Sequence, residues 1–244
     1  MIRFRLQNLK YHILDNILPP RCPVSGQIVD QDATLSPDAW ESLRFVTDPM
    51  CESCGVPFPH FEQATGLKCP DCLKTPPRFD TARTVLAYDD ASRRLILSFK
   101  HGDQHQCAKI MSALMARCVK DTKDYDVVIP VPMHRRRLIF RRFNQSALLA
   151  FEIGKRLSLT YRPDLLIRTR PTPPQKDKNK TERRKNVFRA FAPSDHSSEL
   201  KGMKVLLVDD VYTTGATVNE CANVLKSVGA RKVDVLTFAR TFRQ

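Results

Sequence analysis

No apolar run in this 244-residue chain approaches the roughly 18–20 residues that would span a bilayer, so a transmembrane helix does not organise it. Leu6, Leu9, Ile13 and Ile17 follow a helical stripe near the N-terminus, but polar residues interrupt it and no small-residue cleavage site follows. A secretory leader is therefore not expected. The expected setting is cytoplasmic, where the eight cysteines stay reduced or bind metal rather than pair as disulfides. The sequence also lacks a recognisable cysteine nucleophile or catalytic triad, which argues against covalent hydrolase chemistry. Aromatic residues are sparse beside its basic segments: Phe140 and Phe143 are the main candidates for base stacking, and both also suit a core.

What is present suffices for one ordinary core and a smaller module, with 42% hydrophobic residues. Charge is divided sharply near Pro76-Pro77. Residues 1–78 hold 8 basic and 9 acidic side chains, whereas the other 32 basic and 17 acidic residues give 79–244 a balance of +15. The chain is accordingly read as an N-terminal module, 1–78, and a larger domain, 79–244. Most of the excess falls in two segments, 134–142 with five arginines and no acid, and 168–189 with nine basic and two acidic residues. Both are expected to be loops around a site. Residues 171–180 lack periodicity and read as a mobile loop of the kind that closes over a substrate. A solvated basic surface is the competing reading.

Cys51-x-x-Cys54 and Cys69-x-x-Cys72 stand 14 residues apart, close to zinc-ribbon spacing. Four thiolates would close a tetrahedral site with no open position, so Zn2+ held there would be structural. A redox pair and unligated thiols are the alternatives. Cys107, Cys118 and Cys221 sit alone in helical patterns, where a buried small hydrophobe is the usual role.

Residues 205–217, Val-Leu-Leu-Val-Asp-Asp-Val-Tyr-Thr-Thr-Gly-Ala-Thr, read as a buried parallel strand over 204–208, an acidic pair, and a hydroxyl-rich turn. A helix should follow, because Val218, Cys221, Ala222, Leu225 and Val228 repeat at helical spacing before Gly229. Ligands of open α/β sheets collect at the carboxyl ends of such strands. Hydroxyls and unpaired N–H groups at a helix N-terminus suit a phosphate dianion. Asp209 and Asp210 would repel that phosphate, so they suit vicinal ribose hydroxyls, which donate to ionised acids. Another apolar strand, 126–132, should end beside this one, bringing the first arginine segment to the site.

The segment Val-Asp-Asp-Val-x-Thr-Thr-Gly-Ala-Thr resembles the phosphoribosyl pyrophosphate (PRPP) signature of type I phosphoribosyltransferases. A generic strand-turn-helix is the alternative; a receiver-domain acidic cluster has no matching Thr-Thr-Gly turn. The resemblance implies an α/β fold, a parallel sheet with helices on both faces, in which Asp209 and Asp210 hold the ribose. It implies that Thr213, Thr214, Gly215, Ala216 and Thr217 wrap the 5-phosphate, and that PRPP arrives with Mg2+. Arginines and backbone amides after the neighbouring strand then face pyrophosphate, making His134, Arg135, Arg136 and Arg137 its candidate ligands.

Taken in order, residues 18–22, 130–134, 143–145, 172–175 and 183–187 resemble the ComF family of competence-associated proteins, which join a zinc ribbon to a phosphoribosyltransferase-like domain. Many relatives look like double zinc ribbons; here the earlier positions are Cys22, Ser25, Ser36 and Ala39, and one ligand survives. One zinc per chain is expected, with the later site intact and independent. Arg142 also stands where relatives commonly have glycine. The resemblance implies a link to DNA uptake, with single-stranded DNA and an uptake helicase or other competence protein as candidate partners. Two classes of function follow: a phosphoribosyltransferase, or a non-catalytic nucleic-acid or protein-interaction factor on the same scaffold. Neither the acceptor nor the oligomeric state is legible.

Overall fold

The computed structural model describes residues 19–58, 66–101, 104–135, 138–139, 143–172 and 180–242. The N-terminal helical stripe, Arg136, Arg137, Phe140, Arg141, Arg142 and most of the expected 171–180 loop lie outside them.

Among the described residues, the N-terminal module forms two successive hairpin-and-helix lobes. In the first, Cys22 N–H donates to Gln27 C=O and Gly26 N–H to Cys22 C=O, each at 2.8 Å, and the chain proceeds to α1 (Pro37–Glu41). The second repeats the pattern: Cys51 N–H donates to Val56 C=O at 2.7 Å, Gly55 N–H to Cys51 C=O at 2.8 Å, and α2 (Pro70–Lys74) follows. Each short helix places proline at its first position, where no intrahelical N–H is needed.

The larger domain runs β1 (Ala82–Ala87), α3 (Asp90–His101), α4 (Gln104–Ala116), β2 (Val127–Pro130), α5 (Gln145–Leu157) and β3 (Thr160–Tyr161). It continues with β4 (Leu166–Arg168), α6 (Lys180–Val187), β5 (Phe191–Pro193), β6 (Lys204–Tyr212), α7 (Ala216–Ser227) and β7 (Lys232–Arg240). Five strands form one sheet in the order β1-β7-β6-β2-β3, every pairing parallel; β4 and β5 form a separate antiparallel hairpin.

Alternation along the strands builds two cores. Val205 and Leu207 of β6, with Ile129 and Val235, face Val218, Cys221, Ala222 and Leu225 of α7. Leu206 and Val208, with Val128 and Phe238, face Leu95, Phe99, Met111, Met115, Leu149 and Ile153 from α3, α4 and α5. A strand covered on both sides reads as a continuous apolar run, which is why 205–208 shows no polar alternation.

The module does not hang from a linker. Ala82 N–H donates to Ser53 C=O at 2.7 Å, and residues 44–46 pair antiparallel with the outer edge of β1 through Phe45 and Leu86. That edge is thereby closed to further pairing. Gly55, at φ +68°, approaches so closely that a Cβ would lie 2.5 Å from Ala82 C=O, so only glycine fits.

Two expectations need correction. β6 does not end at Val208: β7 offers it backbone partners up to the pair Tyr212 and Arg240, so the acidic pair lies inside the strand. The basic segments are not loops throughout. Residues 168–189 include the end of β4 and all of α6. Residues 135, 138 and 139 are helical, and Leu138 N–H donates to His134 C=O at 3.1 Å.

Candidate functional site

Asp209 and Asp210 sit where β6 emerges between β2 and β7. Asp209 accepts from the Ser146 hydroxyl at 2.8 Å and from Asp210 N–H at 3.0 Å. Asp210 instead pairs with Lys100 Nζ at 2.7 Å, from the last turn of α3. Neighbouring strand residues point oppositely, so the two acids look in different directions and reach different partners. Burial, and next the Asp210 charge, push the Asp209 carboxyl up to about 7; Ser146, Asp210 N–H and Lys100 oppose the rise. The carboxyl is therefore held well above the ordinary carboxylate range.

Beyond β6 the turn places Thr213, Thr214 and Gly215 ahead of α7, whose first turn contains Ala216 and Thr217. Gly215 caps the helix at φ +74° and, as glycine, supplies no side-chain cap. A Cβ on Gly215 would lie 2.2 Å from the Tyr212 hydroxyl, so the turn closes only over glycine. The Thr214 hydroxyl is buried and lacks a hydrogen-bond partner. An orphaned hydroxyl beside a glycine-capped helix N-terminus is chemistry suited to an anion.

The β2 end lies against β6 as expected: Pro130 registers with Val208, and Val131 N–H donates to Val208 C=O at 2.9 Å. His134 and Arg135 follow within five residues; Arg135 is exposed. Arg136 and Arg137 lie outside the described residues. Asn144 ties this loop to α5, capping Ser146 N–H at 3.1 Å while its amide donates to Val131 C=O at 3.1 Å. The β4–β5 hairpin and α6 pack beside α7, where Arg189 N–H donates to Glu220 at 2.8 Å. Ser146, Lys100 and Asn144 are the residues sequence reasoning assigned no role. Only Asn144 carried a signal, within the Phe-Asn-Gln motif; Lys100 is 110 positions from its partner.

Cys51, Cys54, Cys69 and Cys72 are all buried, and their sulfurs lie within 4.8 Å of one another, the one such cluster among the described residues. Cys51 Sγ accepts from Cys54 N–H at 3.5 Å and Cys69 N–H at 3.3 Å. Burial would raise its pKa, but these amides lower it to about 7. Cys72, in contrast, is pushed well up by burial and by the Cys54 charge. Four crowded thiols ionise together only around a cation, and the donor set fits tetrahedral Zn2+.

The first lobe resolves differently at the matching positions. Ser25 and Ser36 hydroxyls are 2.9 Å apart, and Ser36 accepts from Ala39 N–H at 3.3 Å, where the second lobe has Cys69 and Cys72. Hydrogen bonds thus join Ser25, Ser36 and the Ala39 backbone, which stand at three of the four matching positions. Of the solitary cysteines, Cys107 and Cys221 are buried; Cys118 is only partly so, because α4 ends at Ala116 and leaves it in the following turn.

Residues 13–73 match the double zinc ribbon domain model and residues 167–242 the phosphoribosyl transferase domain model. The "DNA utilization protein YhgH" of Escherichia coli O157:H7 is 33% identical over 198 residues, covering 79% of this chain and 84% of that protein. "Competence protein F" of Haemophilus influenzae is 29% identical over the same length, with 79% and 85% covered. "Competence protein ComFC" of Streptococcus pneumoniae is 25% identical over 236 residues, covering 90% of this chain and all of that protein. With a four-thiolate lobe sutured to a parallel sheet whose β6 carries an acidic pair ahead of a Thr-Thr-Gly turn, and relatives matched along most of their length, this chain belongs to the ComF family.

Proposed function

We propose that this protein binds PRPP with Mg2+ at the end of β6, residues 1–78 serving as ribbon module and 79–244 as ligand domain. Asp209 and Asp210 accept the ribose hydroxyls, and Thr213, Thr214, Gly215, Ala216 and Thr217 enclose the 5-phosphate. His134, Arg135, Arg136 and Arg137 face the pyrophosphate, with Mg2+ balancing its charge. The observation that carries the reading is the buried Thr214 hydroxyl without a partner, just ahead of the glycine-capped start of α7. A phosphate oxygen satisfies that hydroxyl.

Ser146 and Lys100 hold the acids. The hydrogen bond donated by Ser146 and the charge of Lys100 favour the ionised form of Asp209, which accepts a hydrogen bond from a ribose hydroxyl. Stabilising charge at the departing pyrophosphate is what arginines after β2 would contribute to transfer. DNA-related names among the relatives support a role in DNA uptake or use. The excess positive charge of residues 79–244 supports contact with single-stranded DNA.

Calorimetry with PRPP and Mg2+ tests the site, comparing the native chain with Asp209→Asn/Asp210→Asn after folding and zinc content are checked. Binding by the native chain, lost in the double variant, is the expected result and justifies an acceptor search. No binding by the folded native chain would leave an interaction protein on a phosphoribosyltransferase scaffold.

A further inference from the structure

We propose that Arg240 is a positioning residue coupling the four-thiolate centre to the phosphate-binding turn. Its guanidinium, at the end of β7, is 9% exposed and donates to Cys54 C=O and, at 3.4 Å, to Cys54 Sγ. The same group stacks over Tyr212, 4.2 Å from the ring centre. Tyr212 in turn fills the space above Gly215, its hydroxyl lying 2.2 Å from where a Cβ would stand.

Backbone register makes this chain of contacts rigid. Tyr212 pairs with Arg240 across β6 and β7. One residue on, Thr241 N–H donates to Tyr212 C=O at 3.0 Å and its hydroxyl to Thr213 C=O at 3.4 Å. A path of direct contacts thus runs from Cys54 through Arg240 and Tyr212 to the turn.

The chemistry explains why arginine stands there. Four thiolates around Zn2+ carry about two net negative charges, which a buried cation offsets. A planar fork can bond Cys54 through two nitrogens while its face lies on an aromatic ring; a lysine ammonium cannot do both. Disturbing Cys54 therefore frees Arg240, and the ring over Gly215 loses its support. Because coupling is reciprocal, an occupied phosphate turn should also hold zinc more tightly. That last consequence rests on the PRPP reading; the mechanical link does not.

The test uses the zinc-loaded full chain, following hydrogen exchange of residues 213–217 and zinc release to a colorimetric chelator with and without PRPP and Mg2+. Arg240→Met should accelerate turn exchange about tenfold, Arg240→Lys less, with the amides of α4 unchanged. PRPP should slow zinc release from the native chain about tenfold and lose that effect in Arg240→Met. Unchanged turn exchange in a zinc-retaining Arg240→Met overturns the coupling; should that variant not fold, unchanged exchange in Arg240→Lys does so. Absence of PRPP binding by the native chain is read separately by calorimetry and sinks only the ligand assignment, since exchange still decides the link.

Discussion

The Ser146 hydroxyl donates to Asp209 across 2.8 Å, tying the start of α5 to the acidic end of β6. The bond favours the ionised carboxylate in a place where burial and Asp210 disfavour it. Ser146→Ala should raise the Asp209 pKa further above 7. PRPP affinity should then fall about three- to tenfold at pH 7 and recover by about pH 9, when the acid ionises regardless. Calorimetry at three pH values reads this; an equal loss at every pH would contradict it.

Asp209 should also destabilise the unliganded protein. Its folded pKa, about 7, exceeds the ordinary value of 3.8, so the folded state holds a proton that the unfolded chain has lost between these values. Stability therefore falls as pH rises from about 4 to 7 and then levels. Asp209→Asn removes this loss, so its melting temperature should exceed the native one more at pH 8 than at pH 5. Each kcal/mol recovered is worth roughly 2–4 °C in a domain of this size. Paired thermal melts measure the difference.

Gly215→Ala should cost both stability and ligand binding. The residue must hold φ +74° against the Tyr212 hydroxyl, 2.2 Å from the added carbon. About 1–3 kcal/mol of strain is expected, with PRPP binding reduced more than tenfold because the turn must open. Thermal melts and calorimetry check the two effects independently.

Zinc should bind at one equivalent per chain. Cys72→Ser should abolish it, whereas Cys22→Ser should leave the count unchanged, because Ser25, Ser36 and Ala39 provide no thiolate partners. Elemental analysis of the purified chain decides; two equivalents would overturn the expectation.

Much of the fold was legible because its signals are local. Residues 205–208 announce a strand buried on both faces, and Val218, Cys221, Ala222 and Leu225 announce the helical face that covers one of them. The paired Cys-x-x-Cys spacings likewise located the buried four-sulfur cluster. The end of β6 was misjudged because Asp209, Val211 and Tyr212 gain backbone partners from β7, which no local pattern reveals. The helical form of 180–187 was obscured by its polar composition, which offers no apolar stripe.

By itself, the sequence determined which chemistry each short segment carries: thiolates on tight knuckles, carboxylates following the apolar run of a parallel strand, hydroxyls and glycine leading into a helix. Those follow from residue type and spacing, which act within a few bonds. Tertiary structure alone decided which distant groups tune them. Lys100 reaches Asp210, Ser146 reaches Asp209, and Arg240 joins Cys54 to Tyr212, because parallel strands need long crossovers and bring together residues far apart in the chain.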